Sequence, residues 1–191
     1  MALTPSQMVP LGVLAPDFDL TDPRGRRVRL ADFLGRPLLV MFICNHCPFV
    51  KHLAAPLGAF AAEYAKKGLA VVGINSNDTE SYPDDAPPKM KAYARESGWS
   101  FPYLIDSSQE TAKAYRAACT PDFFLYDASH RLRYRGQFDD SRPESGIPIT
   151  GEDLRAAADA VLAGRTPSAD QKASIGCNIK WRPDQAPPDA R

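Results

Sequence analysis

Two unbroken apolar runs, "PLLVMFI" (37–43) and "GLAVVGIN" (68–75), bracket a stretch with helical periodicity. Each run has strand length, and strands apolar on both faces belong inside a parallel sheet. Between them Phe49, Val50, Leu53, Leu57, Phe60, Ala61 and Tyr64 fall on one broad face, and Gly68 supplies the stop. Pro56 lies inside this stretch and is expected to kink the helix. Strand, helix and strand in this order make a βαβ unit, right-handed in nearly all cases. An α/β fold with a covered parallel sheet follows.

The rest of the chain can be placed around that unit. "DLTDPRGRRVRLADFLG" predicts a short hairpin turning at Pro23–Gly25 and a helical turn near 31–34. Residues 87–97 and 108–117 predict helices, with "SFPYLID" (100–106) extended between them. "PDFFLYD" and "RLRYRGQF" predict an antiparallel hairpin turning at Ala128–His130, and "GEDLRAAADAVLAG" (151–164) a last helix with Thr150 as N-cap. The order β-α-β, then β-β-α, is the thioredoxin topology. Here it carries an N-terminal hairpin extension, an insertion after the second parallel strand and an extended C-terminal tail. The expected organisation is one domain over residues 1–165 with a tail, 166–191, docked on it. Ile175, Ile179 and Trp181 alternate with period two, as a docked strand requires.

Composition excludes some partners. Lys+Arg and Asp+Glu both total 23, so no charge surplus points to nucleic acid or an anionic membrane. No run of residues is long enough to span a bilayer. The stretch "MALTPSQMVPLGVLAPDF" does not read as a signal peptide, so a cytoplasmic location is expected. Four cysteines, Cys44, Cys47, Cys119 and Cys177, are too few and too unevenly spaced for a secreted disulfide scaffold.

Cys44 and Cys47 sit at the carboxyl end of the first parallel strand, where α/β folds collect reactive groups. Cys44 is expected to face the helix N-terminus, whose unpaired N–H groups favour thiolate over thiol. Cys47, one turn further and more buried, is expected to resolve a disulfide formed at Cys44. His46 between them, when protonated, would lower the Cys44 pKa further. A CxxC can also be half a zinc site, but no second CxxC or HxxxH accompanies it. Haem attachment needs His after the second Cys, and Pro48 stands there.

"CTPDFFLYD" (119–127) carries the second signal. Pro121 enters an apolar strand opposite the CxxC, and a cis Thr120–Pro121 bond would present the Thr120 backbone to an extended substrate. A simple strand-entry proline is the alternative. The topology also brings Asn75, Asn77, Gln137, Asp139 and Asp140 toward the cysteines. Asp139 or Asp140 is expected either to move protons for the pair or to form a capping turn. Cys177 is a possible third redox cysteine that receives the disulfide, or a docked structural thiol. Cys119 reads as a small buried thiol.

The segment "APDFDLTDPRGRRVRLADFLGRPLLVMFICNHCP" resembles the N-terminal half of the redoxin (AhpC/TSA) group of thioredoxin-like proteins, which includes ResA-type oxidoreductases and peroxiredoxins. The set "CNHCPFVKH", "GINSND", "YPDDAPPKM", "AYRAACTPDFFLYD", "YRGQFDDSRP" and "SIGCNIKWRP" is similar to one peroxiredoxin-like subgroup. The resemblance implies a thioredoxin fold, Cys44/Cys47 as the redox pair and Pro121 as a cis-proline. Peroxiredoxins carry Pro-x-x-x-Thr-x-x-Cys; counted back from Cys44, Pro37 is present but Met41 replaces the Thr hydroxyl. Thioredoxins bury an Asp in the central strand, and "LLVMFI" has none, so Cys47 must use water or a carboxylate from elsewhere.

The expected function is thiol–disulfide exchange, with Cys44 attacking and Cys47 resolving. Protein or small-molecule disulfides and dithiols would be substrates, with a thiol reductant such as a thioredoxin system. No metal, nucleotide or flavin cofactor is implied. The alternatives are a thiol peroxidase with Cys44 peroxidatic, and a soft-metal or copper chaperone using the cysteines and a histidine. His52 could join such a site only if the first helical turn frays.

Overall fold

The computed structural model describes residues 3–183 and 185–188. Residues 1–2, 184 and 189–191, which the expected domain and tail include, lie outside the described residues. Among the described residues the central sheet has seven strands. In chain order they are β2 (Asp19–Thr21), β3 (Arg27–Arg29), β4 (Leu38–Phe42), β5 (Ala70–Asn75), β6 (Tyr103–Ile105), β8 (Asp122–Tyr126) and β9 (Leu132–Gly136). Their spatial order is β3-β2-β6-β5-β4-β8-β9. β4, β5 and β6 are parallel, so "SFPYLID" supplies a third parallel strand. β8 runs antiparallel to β4, and the expected hairpins β2–β3 and β8–β9 close the two ends.

The strands at the centre are buried throughout, as their unbroken apolar sequence requires. Helix α1 (Pro48–Lys66) packs Val50, Leu53, Leu57, Phe60 and Tyr64 onto one face, with Met41, Ile43 and Phe123 from the sheet. It runs unbroken through Pro56, whose missing N–H falls opposite the His52 carbonyl. On the other face Phe42, Val72, Phe124 and Tyr126 pack with Tyr115 of α3 (Glu110–Tyr115). That helix is shorter than its sequence suggests, because Gln109 and Arg116 both adopt positive φ at its ends. Helix α2 (Pro87–Glu96) follows the insertion, which contains a short 3-10 turn, Pro83–Asp85.

Helix α4 (Glu152–Leu162) shifts one expectation by a residue: its N-cap is Gly151, while Thr150 Oγ1 still accepts from the Glu152 N–H at 3.3 Å. Gly151 has φ 67°, and a Cβ there would lie 2.6 Å from Phe138 Cζ. Both facts disfavour a side chain at the cap.

A second, three-stranded antiparallel sheet joins the termini to the core. β10 (Ile175–Asn178) lies between β1 (Leu3–Pro5) and β7 (Cys119–Thr120). The tail is therefore docked as a strand, and the segment it docks on is the one that precedes Pro121.

Candidate functional site

The loop 43–47 leaves β4 at its carboxyl end and enters α1 at Pro48. It is clamped from two sides. The Asn45 N–H donates to Asp85 Oδ1 at 2.7 Å, and Asn45 Nδ2 donates to the Asp84 carbonyl at 2.7 Å. Tyr103 of β6 donates its hydroxyl to Asn45 Oδ1 at 3.0 Å. The loop conformation is thus held by the insertion and the third parallel strand.

The Thr120–Pro121 bond is cis and faces the loop. Cys44 Sγ lies 3.3 Å from Thr120 Oγ1, and Cys47 Sγ lies 3.0 Å from the Thr120 carbonyl oxygen. Cys47 Sγ also lies 3.0 Å from Cys177 Sγ on β10. Among the described residues all four cysteines are thiols.

The sequence expectation that Cys47 is the more buried of the pair is not met: both sulfur-bearing residues are 0% exposed. Cys47, not Cys44, is the N-cap residue of α1. A hydrogen bond from Cys44 lowers the Cys47 pKa to about 5 against the opposing effect of burial, and the Cys177 thiol and the Val50 and Cys177 N–H groups add to it. As a thiol Cys47 donates to the Thr120 carbonyl, an acceptor that opposes the thiolate. Burial raises Cys44 well above the ordinary thiol range, and the Cys47 sulfur and the Asp85 carboxylate add to the rise. Burial and the Cys47 sulfur push Cys177 up to about 12.

His46 has a carboxylate as its nearest partner. Its Nδ1 lies 2.7 Å from Asp85 Oδ2, and its ring stacks on Tyr82 with centroids 5.3 Å apart. The imidazole is matched to a carboxylate before it can act on a sulfur. His46 is 18% exposed and lies at a cleft of about 310 Å³ lined also by Lys51, Lys89 and Tyr93. A larger cleft of about 550 Å³, between the β2–β3 hairpin and α2, reaches the site only through Tyr103.

Asp85 is the functional residue that sequence reasoning missed. It is 0% exposed and accepts from Asn45 N, Asn77 Nδ2 and the His46 side. Those contacts hold its pKa below the ordinary carboxylate value despite burial. The available signal was "YPDDAPP", an acidic pair fenced by prolines. Cys44 Sγ, a His46 ring nitrogen and an Asp85 oxygen lie within 4.8 Å of one another, so these three donors could hold a metal. Both Asp85 oxygens are already engaged by protein donors, which competes with that role.

The remaining candidates divide. Asn77 joins the site through Asp85, and Asn75 Oδ1 holds the Asn77 N–H at 3.0 Å. Asp139 is a capping residue: it accepts from Ser141 and from the Thr150 and Gly151 N–H groups at the start of α4. Asp140 is exposed and paired with Lys172, and Gln137 bridges Asp140 and Asp153. Of the two expectations the capping turn is the one found, for Asp139, and the proton-moving role is corrected: the partners of Asp139 and Asp140 are α4 and the tail. His52 bonds to Ser141 Oγ at 3.1 Å, away from the pair. A second buried carboxylate, Asp122, directly follows Pro121. It pairs across the sheet with Phe42, on the face opposite α1, and burial raises its pKa to about 7.

The profile of the AhpC/TSA family matches residues 11–135. A solved structure of a conserved protein from Geobacillus kaustophilus is 54% identical, with a TM-score of 0.94, and the match covers 96% of this chain and 98% of that one. The thiol-disulfide oxidoreductase ResA of Geobacillus kaustophilus (strain HTA426) is 26% identical over 132 residues, 68% of this chain and 71% of that protein. A Mycobacterium tuberculosis (strain CDC 1551 / Oshkosh) protein named as a peroxiredoxin is 32% identical over 107 residues, 56% of this chain and 63% of its own.

Proposed function

Because the chain belongs to the AhpC/TSA family, we propose that it is a thiol–disulfide oxidoreductase working through Cys44 and Cys47. The observation that carries this reading is the placing of both sulfurs against Thr120, beside the cis Thr120–Pro121 bond. Disulfide exchange needs a thiolate, a second thiol in reach and a backbone edge that orients the partner. One of the two sulfurs attacks as the thiolate and the other resolves the mixed disulfide. Protein or small-molecule disulfides and dithiols are the substrates, and a thiol reductant in a reducing compartment restores the pair.

Reduction of insulin disulfides by the full chain tests this. Cys44→Ser and Cys47→Ser are each expected to lower turnover sharply; unchanged activity in either would refute the reading. One observation favours a second reading, thiol peroxidase. The thiols are buried to 0–2% exposure, which admits a peroxide more readily than a protein disulfide. Rapid peroxide consumption without insulin reduction would favour it.

A further inference from the structure

The tail strand sits where a substrate strand would sit. β10 pairs with β7 in the register Cys177↔Thr120 and Asn178↔Cys119, so Cys177 lies opposite the residue that precedes the cis-proline. The pairing extends beyond the strand. Ser174 Oγ donates to the Pro121 carbonyl at 2.8 Å, and the Ile179 N–H donates to the Ala118 carbonyl at 3.2 Å. Gly176 is built for this approach: a Cβ there would lie 2.0 Å from the Thr120 carbonyl oxygen. No other residue type could lie so close to that backbone. Cys177 Sγ is then 3.0 Å from Cys47 Sγ, and an approach of about 1 Å more would reach bonding distance.

We infer that residues 174–179 are a built-in substrate strand, and that Cys47 forms a second, alternative disulfide with Cys177. The inference rests on the reading of Cys44 and Cys47 as a redox pair and extends it to a three-thiol relay with Cys47 at its centre.

The exchange is an isomerisation. Starting from the Cys44–Cys47 disulfide, the Cys177 thiol gives up its proton and attacks Cys47 Sγ. The Cys47–Cys177 bond forms as the Cys44–Cys47 bond breaks. The electron pair leaves on Cys44 Sγ, which takes up a proton. One disulfide is consumed and one made, so no oxidant or reductant enters this step. The reverse attack by Cys44 restores the first pair. Cys44 and Cys177 are the two thiols held protonated, while Cys47 is shared. With β10 in place the Thr120 edge is filled, so an external protein disulfide must displace the strand.

The test uses the full chain titrated with oxidised glutathione, a small-molecule disulfide, then alkylated, digested and mapped by mass spectrometry. The expected result is two intramolecular disulfides, Cys44–Cys47 and Cys47–Cys177, with the second dominant in Cys44→Ser. Recovery of Cys177 only as a thiol or a glutathione adduct in both proteins would overturn the inference. In Gly176→Val, the strand should lift and Cys47 alkylation by iodoacetamide should quicken at least tenfold by the loss of burial; an unchanged rate would overturn the occlusion. The mapping needs no turnover. A Cys47–Cys177 bond in a protein that fails to reduce insulin would therefore sink the proposed function alone, and the converse would sink this inference alone.

Discussion

His46 Nδ1 and Asp85 Oδ2 lie 2.7 Å apart, and this contact ties the Cys44–Cys47 loop to the insertion after β5. It joins a motif residue that sequence reasoning singled out to a carboxylate that it passed over. The same carboxylate adds to the rise of the Cys44 pKa, and the imidazole faces it.

Asp85→Ala is expected to cost about 2–4 kcal/mol of stability, since Asn45 N–H and Asn77 Nδ2 would lose a buried acceptor. Urea unfolding measures it. The wild-type contribution has a definite pH sign. The folded carboxyl titrates below its ordinary 3.8, so the unfolded state binds more protons and the contribution is lost as pH falls below about 3.8. In Asp85→Ala that part of the acid limb should disappear. A loss under about 0.5 kcal/mol would show that the clamp holds nothing.

Asp122 has the opposite sign. Its folded pKa of about 7 exceeds the ordinary 3.8, so the folded state keeps a proton that the unfolded state has released. Wild-type stability should fall as pH rises from about 4 to 7, by on the order of 4 kcal/mol at most. Asp122→Asn should flatten that slope while the amide oxygen still accepts from the Ala118 N–H. An unaltered slope in urea titrations across this range would refute the assignment.

The order of thiol acidities is directly measurable. Iodoacetamide labelling of the wild-type chain, mapped by residue, should show Cys47 reacting with a midpoint near about 5. Cys44 should remain protonated well into the alkaline range. An acidic midpoint at Cys44 would restore the order expected from the helix N-terminus alone.

Thr120→Val keeps the shape of the side chain and removes the hydroxyl that lies 3.3 Å from Cys44 Sγ. The loss of one hydrogen bond to a reacting sulfur should slow insulin reduction by about tenfold, with little change in melting temperature. Equal rates would place Thr120 in the fold only, through its backbone.

Gly151→Ala tests the α4 cap. With φ 67° and a Cβ position 2.6 Å from Phe138, the substitution should cost about 1–3 kcal/mol. Thermal unfolding reads this, and a neutral result would mean that Phe138 moves aside freely.

The central βαβ unit, both hairpins and the CxxC at a strand end were legible because apolar periodicity and turn chemistry are local. "PLLVMFI" is buried end to end as such a run must be, and Gly68 ends α1 at φ 99°. Thr150 missed the cap by one residue because Gly151 answers to the Phe138 ring, a contact 13 residues away in sequence that no capping rule contains. Asp139 and Asp140 were placed by topology at the right end of the sheet, but their partners are the α4 N-terminus and Lys172.

The sequence by itself determined the sheet, the cysteine pair and the proline opposite it, since each is written in a short run of residues. Only the tertiary structure decided what surrounds each sulfur, what lies on the Thr120 edge and which carboxylate serves the loop. The physical reason is that a thiol's acidity and access are set by donors, charges and burial summed over the surroundings. Here those come from Asp85, 41 residues after Cys44, and from Cys177, 130 residues after Cys47.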